Sequence, residues 1–383
     1  MKNTFSAYVR LSQTRTRETM QAAFHGSRAG LIGPLPGQEY GGSPNRPVRR
    51  ASHGGDVGQI IRLRGPFPYH TPETGRACSR GTDVISWWRS GRLKERRVMS
   101  GTNGGSRLWA ISDLHIGYAE NRALVDAMRP ETDGDWLIVA GDVAETVEDI
   151  RWALKTLAGR FAKVVWVPGN HELWTHPSDA VTLRGVARYD HLVEQCRDLG
   201  VLTPEDPYPV FDGPGGPVAV APLFLLYDYS FLPSGCATKD EGLEYAHGTG
   251  VVCTDERLLH PDPYPSREDW CRARVAATER RLAEVPDGLP LVLVNHWPLH
   301  RHPTDVLWYP EFAMWCGTVL TDDWHRRFPV HTMVYGHLHI PRTTWQDGVR
   351  FEEVSVGYPR EWRKRERPPG RLRRIVPRED GER

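Results

Sequence analysis

Short apolar runs alternate with amphipathic stretches along the chain from residue 107 onward. The apolar runs have the length of β-strands, and they lie at 107–112, 135–142, 163–170, 289–296, 331–337 and 350–358. Between the second and third runs, apolar residues recur at steps of three and four from Val147 to Phe161, which predicts a helix with one buried face. This alternation predicts an α/β fold built on largely parallel sheets that are flanked by helices.

The segments on either side of this region differ from it in charge. Residues 1–98 contain 17 Lys and Arg against 6 Asp and Glu, and residues 360–383 contain 10 against 5, whereas residues 99–359 contain 22 against 37. The first segment also holds 13 Gly and 7 Pro and shows little periodicity. A segment of this kind buries too little apolar surface to offset the entropy lost on ordering.

We therefore predict three parts. A basic arm covers 1–106 and is either disordered or the result of a start assigned upstream of Met99. A globular domain covers 107–359 and includes an inserted loop region at 222–265, and a basic tail covers 360–383. The aromatic residues of the inserted region, in "PLFLLYDYSF", belong either to the local core or to the wall of a pocket.

The six cysteines include no C-x-x-C pair, which argues against a zinc ribbon or a disulfide framework and fits a reducing compartment. No apolar run reaches the length of a membrane span, and the first thirty residues lack a secretory apolar core. These features predict a soluble, cytoplasmic protein without a membrane partner.

Residue types that bind metals follow five of the predicted strands. They are Asp113 and His115, Asp142, Asn170 and His171, His296, and finally His337 and His339. One such residue alone would be an ordinary cap or polar strand end. Because ligands of open α/β sheets bind at the carboxyl ends of strands, we expect these side chains to converge in one crevice.

Carboxylate, imidazole and amide oxygen together suit Mn, Fe or Zn, and the lack of cysteine argues against a structural zinc. Even seven of these eight side chains are too many for one catalytic ion that keeps an open position, and they are enough for two. Two ions roughly 3.5–4 Å apart can share a carboxylate and a hydroxide, and the hydroxide can attack phosphorus in line. The residues alone therefore predict a dinuclear phosphoesterase.

Five motifs in this order resemble the signature of the calcineurin-like metallophosphoesterases. They are D-x-H at 113–115, G-D at 141–142, G-N-H-E at 169–172, the histidine of "VNHWP" and G-H-x-H at 336–339. The resemblance spans about 107–358. It implies a four-layer αββα sandwich, in which two packed β-sheets lie between layers of helices.

The resemblance also implies a role for each matching residue. One metal ion would be bound by Asp113, His115 and His339 and the other by Asn170, His296 and His337, with Asp142 bridging the two. The ions would be Mn or Fe, with Zn as an alternative. His171 would lie beside the metals and stabilise or protonate the leaving oxygen. Glu172 would either orient His171 or be an ordinary surface carboxylate.

Longer stretches are similar to the actinobacterial 4′-phosphopantetheinyl hydrolases, among them "RFAKVVWVPGNHELW", "YPEFAMWCGT" and "YGHLHIPRTTWQDGVRFEEVSVGYPREW". Those enzymes remove 4′-phosphopantetheine from carrier proteins. The resemblance implies an acyl or peptidyl carrier protein as substrate. We expect Tyr227 and Tyr229 to wall a channel for the pantetheine arm, and Arg360 to attract the acidic carrier protein.

Two alternatives stay open. A nucleotide or cyclic-nucleotide phosphodiesterase would share every metal ligand, so only its substrates would distinguish it. A metal-free binding protein on the same fold would have lost ligands, and none of the seven is missing here. A nucleic-acid partner is not expected; electrostatic binding through the basic arm would show a strong dependence on salt.

Overall fold

The computed structural model describes residues 105–365 and 370–378, and within them ten strands form two sheets. The first sheet consists of β1 (Leu108–Ile111), β2 (Trp136–Val139), β3 (Lys163–Trp166) and β10 (Arg373–Val376). Its strand order is β10-β1-β2-β3. The first three strands are mutually parallel, and β10 runs antiparallel to β1 at the edge.

The second sheet has six strands. They are β4 (Val210–Phe211), β5 (Val218–Pro222), β6 (Leu291–Val294), β7 (Val330–Tyr335), β8 (Arg342–Gln346) and β9 (Val349–Glu353). Their order is β4-β5-β6-β7-β9-β8. The four inner strands are parallel, whereas the edge strands β4 and β8 are antiparallel to their neighbours.

Nine α-helices lie in the described ranges: α1 (Ala119–Ala127), α2 (Val147–Ala158), α3 (Asn170–Leu173), α4 (Gly185–Asp198), α5 (Lys239–Thr249), α6 (Asp255–Leu258), α7 (Arg267–Ala283), α8 (Trp324–Arg327) and α9 (Pro359–Trp362). The predicted helix from Val147 is α2. It begins after Thr146, whose side chain accepts a hydrogen bond from the Asp149 N–H and caps the first turn. Along 105–365 and 370–378, no helix is both long enough and apolar enough to cross a membrane.

Apolar side chains cover both faces of the inner strands. On β1, Leu108 and Ala110 pack in the core between the two sheets, whereas Trp109 and Ile111 pack in the core that the helices share. Successive strand residues point to opposite faces, so a strand that is buried on both faces needs a continuous apolar run. The predicted four-layer α/β sandwich is confirmed.

The two sheets are joined by main-chain hydrogen bonds where β1 and β9 end. The Ser112 N–H donates to the Val354 carbonyl (3.0 Å), and the Val356 N–H donates to the Ser112 carbonyl (2.9 Å). One residue further, the Gly357 N–H donates to the Asp113 carbonyl (3.0 Å). The carboxyl ends of strands from both sheets therefore meet at one edge of the sandwich.

Two of the predicted parts, the inserted region and the basic tail, differ from what the structure shows. The third, the basic arm, lies almost entirely outside the described residues. The region at 222–265 is more than an inserted loop, because it contains α5 and α6. The predicted basic tail at 360–383 contains β10, whose Ile375 and Val376 are buried between the sheets. The prediction of a tail rested on the net charge of the segment, and it gave no weight to Ile375 and Val376, which follow several arginines. The predicted arm at 1–106 lies outside the described residues, apart from the last two.

Ile375→Ala should lower the free energy of unfolding by about 2–5 kcal/mol, because it removes buried carbon atoms between the sheets and leaves a cavity. Urea denaturation followed by circular dichroism measures this change. Arg371→Ala is the control, since Arg371 is exposed in the same segment, and it should change stability by less than about 0.5 kcal/mol. Equal stabilities of the two variants would show that β10 contributes nothing to the core.

Candidate metal centre

The seven predicted metal ligands lie at the carboxyl ends of strands from both sheets. The first sheet supplies Asp113, His115, Asp142 and Asn170, and the second supplies His296, His337 and His339. Six of them are buried residues, and the His339 side chain exposes only 8% of its surface. The structure thus brings all seven into one buried cluster.

Five of the seven have a left-handed backbone, which residues other than glycine seldom adopt. The φ angle is 52° at Asp113, 41° at His115, 53° at Asp142, 70° at His337 and 55° at His339. Such conformations cost on the order of 1–3 kcal/mol each and persist where the surrounding structure enforces them. Their concentration in one cluster is typical of a functional site.

Two glycines allow the segments that carry the ligands to approach one another. A Cβ atom on Gly169 would lie 2.2 Å from Asp142 Oδ1, and one on Gly336 would lie 2.2 Å from Asp113 Oδ2. Side chains cannot be accommodated at these distances, so both positions require glycine. This accounts for the glycines of the G-N-H-E and G-H-x-H motifs.

Asp113, His115 and His339 form the first group that could hold a metal ion. His339 Nε2 lies 3.0 Å from Asp113 Oδ1 and 3.2 Å from His115 Nε2. Three ligand atoms that converge at such distances are arranged as they would be around one cation.

Asp142, Asn170 and His296 lie together on the other side of the cluster. His296 Nε2 is 3.2 Å from Asn170 Oδ1 and 3.4 Å from Asp142 Oδ2. The His337 ring centroid lies 5.2 Å from that of His296. His337 Nε2 is buried and finds no hydrogen-bond partner in 105–365 or 370–378, which is the state expected of a nitrogen reserved for a cation.

Asp142 occupies the centre of the cluster. Its Oδ2 lies 3.4 Å from His296 Nε2, 3.9 Å from His115 Nε2 and 3.8 Å from His171 Nε2. Asp142 also belongs to two of the three groups that could hold a metal. A carboxylate in this position can contact two ions at once.

The electrostatics of the cluster suit a cation. Burial lowers the pKa of His115 to about 4, with the nearby His171 imidazole adding to the effect. Burial and the His296 imidazole likewise lower the pKa of His337 to about 3. Burial alone would raise the pKa of Asp113, but the adjacent His339 imidazole outweighs it and holds the carboxyl ionised. At His296 and His339, in contrast, the neighbouring carboxylates outweigh burial, and they raise the pKa of His296 to about 9 and that of His339 as well. Since metals bind neutral imidazoles and ionised carboxylates, binding of a cation would release protons from these two rings.

Neighbouring side chains and one main-chain carbonyl fix the orientation of the candidate ligands. His339 Nδ1 lies 2.8 Å from Glu361 Oε2, and His296 Nδ1 lies 2.9 Å from the Ala140 carbonyl. Asp113 Oδ2 accepts a hydrogen bond from the hydroxyl of Ser355 (2.7 Å). Contacts of this kind orient a metal-binding imidazole and set its tautomer.

His171 lies beside the cluster and is oriented by a residue that the sequence did not single out. Its Nδ1 is 2.9 Å from Glu145 Oε1, and its ring lies over Trp174 with a centroid distance of 3.7 Å. Burial opposes ionisation of Glu145, but its hydrogen bond to His171 lowers the pKa of Glu145 to about 2. The only feature of the sequence that could have identified Glu145 as a site residue is its position, three residues after Asp142 in "AGDVAE".

Glu172 neither orients His171 nor lies at the surface. It is fully buried, and its carboxylate accepts hydrogen bonds from the N–H groups of Asp142 (2.9 Å), Val143 (2.7 Å) and Gly169 (2.8 Å). Glu172 therefore joins the loop after β2 to the turn after β3. This corrects both predicted interpretations of Glu172.

The two tyrosines predicted to wall a substrate channel are buried in the protein core. Tyr227 and Tyr229 expose 1% or less of their surface, and their hydroxyls donate to Asp255 (3.0 Å) and Glu256 (2.7 Å). The prediction of a channel wall is wrong for both, because the segment packs under α6 and α7. Arg360 is the second residue of α9, with its guanidinium 5.0 Å from the centroid of the Tyr358 ring.

A cleft opens beside the cluster. Asp142, Asn170, His337 and His339 line one side, and the neutral side chains of Val252, Cys253, Thr254 and Phe312 line another. Val252 exposes 37% of its surface. The cleft thus combines a metal-binding side with a largely apolar wall, which is usual in small-molecule sites.

A two-sheet α/β sandwich with Asp, Asn and His side chains gathered at its strand ends is the arrangement that the motif resemblance implied for a metallophosphoesterase, an enzyme that hydrolyses phosphoric esters. Residues 106–341 match the model of the calcineurin-like phosphoesterase family, and the chain belongs to that family. The resemblance predicted from the motifs is confirmed.

Two comparisons with individual proteins agree with this assignment. The chain is 58% identical over 270 residues to the [acyl-carrier-protein] phosphodiesterase PptH of Mycobacterium tuberculosis (strain ATCC 25618 / H37Rv). The aligned region covers 70% of this chain and 83% of PptH. It also matches the crystal structure of phosphopantetheinyl hydrolase (PptH) from Mycobacterium tuberculosis. That match has a TM-score of 0.70 and 57% identity and covers 72% of this chain and 97% of that chain.

Asp142→Ala should remove most of the bound metal while the fold survives, because Asp142 is central to the cluster and its loss leaves surplus positive charge between the ions. Inductively coupled plasma mass spectrometry of protein loaded with Mn²⁺ measures the metal content. Asp126→Ala, at an exposed position on α1, is the control and should bind as the wild type does. Full metal content in Asp142→Ala would contradict a shared carboxylate.

Proposed function

We propose that the chain hydrolyses the phosphodiester between 4′-phosphopantetheine and a serine of an acyl or peptidyl carrier protein. The observation that carries this proposal is the 58% identity to PptH over 70% of the chain, together with a complete set of seven ligands in one cluster. A carrier protein is the substrate that the name of PptH states. The proposed compartment is the cytoplasm, on the strength of the cysteine pattern.

Two metal ions are part of the proposal. Asp113, His115 and His339 would hold one ion, Asn170, His296 and His337 would hold the other, and Asp142 would contact both. The donor set of carboxylate, imidazole and amide oxygen suits Mn or Fe, with Zn as an alternative. Bound there, such ions lower the pKa of a coordinated water and neutralise charge on the phosphoryl oxygens.

His171 is proposed as the proton donor to the leaving oxygen. Burial would lower the pKa of His171, but the carboxylates of Asp142 and Glu145 outweigh it and raise that pKa, which favours the protonated ring. Glu145 accepts from Nδ1 at 2.9 Å and leaves Nε2 directed at the cluster. The serine oxygen of the carrier protein needs such a proton when the ester bond breaks.

The lining of the cleft favours a neutral substrate arm over a nucleotide. Among the described residues that line it, none is Lys or Arg, so a second phosphate group would enter without a counter-charge. The wall formed by Val252, Cys253, Thr254 and Phe312 suits the uncharged, partly apolar pantetheine arm. Arg360 does not line the cleft; it lies on α9 between the lining residues Tyr358 and Glu361, where it would supply a positive charge for an acidic carrier protein.

Incubation of a holo carrier protein with the enzyme and Mn²⁺ should lower the carrier mass by one whole phosphopantetheine group. Intact-protein mass spectrometry measures the change, and Asp142→Ala should abolish it. An unchanged carrier mass, alongside rapid hydrolysis of nucleotide diesters, would favour the nucleotide phosphodiesterase instead.

His171→Ala should slow the hydrolysis of diesters with alkyl leaving groups by about 10²–10⁴-fold, which is the usual contribution of a general acid. The loss should be much smaller for 4-nitrophenyl esters, because nitrophenolate leaves without a proton. Glu145→Gln should show the same dependence on leaving group to a smaller extent, since it only weakens the support of His171. Equal losses for both leaving groups would assign His171 to substrate binding.

A further inference from the structure

A fully buried carboxylate, that of Asp255, lies against the candidate metal centre. It opens α6, 85 residues along the chain from Asn170. Asn170 Nδ2 donates a hydrogen bond to Asp255 Oδ1 at 3.0 Å. Trp174 Nε1 donates to the same oxygen at 2.7 Å, and the Tyr227 hydroxyl donates to Oδ2 at 3.0 Å. Both carboxylate oxygens are therefore occupied by donors from other segments.

The chemistry of the amide makes this contact directional. The side chain of Asn170 has one oxygen, which can bind a cation, and one NH₂ group, which cannot. Asp255 Oδ1 also accepts a hydrogen bond from Trp174 Nε1, which can only donate, so this oxygen acts as an acceptor and selects the NH₂ end of the amide. Asn170 Oδ1 is then directed to the opposite side, where it lies 3.2 Å from His296 Nε2.

The position of Asp255 is set independently of Asn170. Arg267 Nη2, from α7, donates to the Asp255 main-chain carbonyl at 2.7 Å, and the Thr175 N–H donates to the Leu258 carbonyl at 2.9 Å. These bonds fix α6 beside the segment that follows α3. Together with the Tyr227 hydroxyl, these contacts hold the carboxylate in place without Asn170.

We propose that Asp255 is a positioning residue for metal binding, which holds the Asn170 amide with its oxygen toward the ion, and that Tyr227 in turn holds Asp255. This inference rests on the proposed function, because it takes Asn170 as a metal ligand. It assigns Tyr227 to the support of the metal centre.

The neighbouring Tyr229 provides a matched control. Both tyrosines are almost completely buried, and both hydroxyls donate to a carboxylate. Tyr229 donates to Glu256, for which the structure gives no hydrogen bond to any of the seven candidate ligands among the described residues. Removal of the Tyr227 hydroxyl costs its hydrogen bond to Asp255, whereas removal of the Tyr229 hydroxyl costs its bond to Glu256 and the bond that it accepts from Arg267 Nη1 (2.7 Å). Only Tyr227→Phe removes a direct contact to the Asp255 carboxylate.

The test is isothermal titration calorimetry, in which Mn²⁺ is added to the metal-free full-length protein and the Kd is measured. The melting temperature of each metal-free sample is measured as well. Asp255→Ala should raise the Kd of one bound Mn²⁺ by about 10–100-fold, the range usual for partners of metal ligands. Asp255→Asn should bind with an intermediate Kd, because it keeps one acceptor oxygen but loses the selectivity for NH₂. Tyr227→Phe should weaken binding by less than tenfold, and Tyr229→Phe should leave the Kd unchanged.

Asp142→Ala is titrated in parallel, because it tests the metal site itself separately from the positioning role of Asp255. A wild-type Kd in Asp142→Ala would overturn the metal-site assignment and this inference with it. A weakened Asp142→Ala beside a wild-type Kd in Asp255→Ala would overturn this inference alone, even if the melting temperature falls. Should Asp255→Ala fail to fold, Asp255→Asn decides in the same way: a wild-type Kd would overturn the positioning role.

Discussion

The hydrogen bonds between the ends of β1 and β9 are the contact on which the candidate site depends. Ser112 exchanges main-chain hydrogen bonds with Val354 and Val356, and the Gly357 N–H donates to the Asp113 carbonyl. These bonds place a ligand from the first sheet against ligands from the second. Because the seven candidate ligands come from both sheets, neither sheet could form the cluster by itself.

The cluster conflicts with the ordinary requirements of a stable core. It buries two carboxylates and several imidazoles, and five of its residues have a left-handed backbone. Burial of unpaired charge and strained backbone both cost free energy. The protein offsets part of this cost through hydrogen bonds, such as those from Ser355 to Asp113 and from the His171 N–H to Asp142 (3.0 Å). A bound cation would offset more, so metal binding and stability should be linked.

Buried residues behind the ligands determine the geometry of the site as much as the ligands do. Arg188 is fully buried and donates to the carbonyls of Glu172 (2.6 Å) and Glu145 (3.1 Å), which joins the two loops around His171. Glu172 binds the same loops through their N–H groups. The region at 222–265 adds Asp255 from a third direction. The loops after β2 and β3 are therefore each held at more than one point, which fixes the side chains that they carry.

The sequence by itself determined the α/β class, the inner strands and the residues that gather at their ends. Those features depend on local periodicity and on the rule that parallel strands present their carboxyl ends at one edge. The tertiary structure alone decided that Tyr227 and Tyr229 are core residues, that Glu172 binds main-chain N–H groups and Glu145 binds His171, and that Ile375 and Val376 complete the first sheet. Each of these outcomes is a contact between segments that are distant in the chain or separated by a turn. Periodicity and composition report only the average surroundings of a residue, and they do not specify its particular partner.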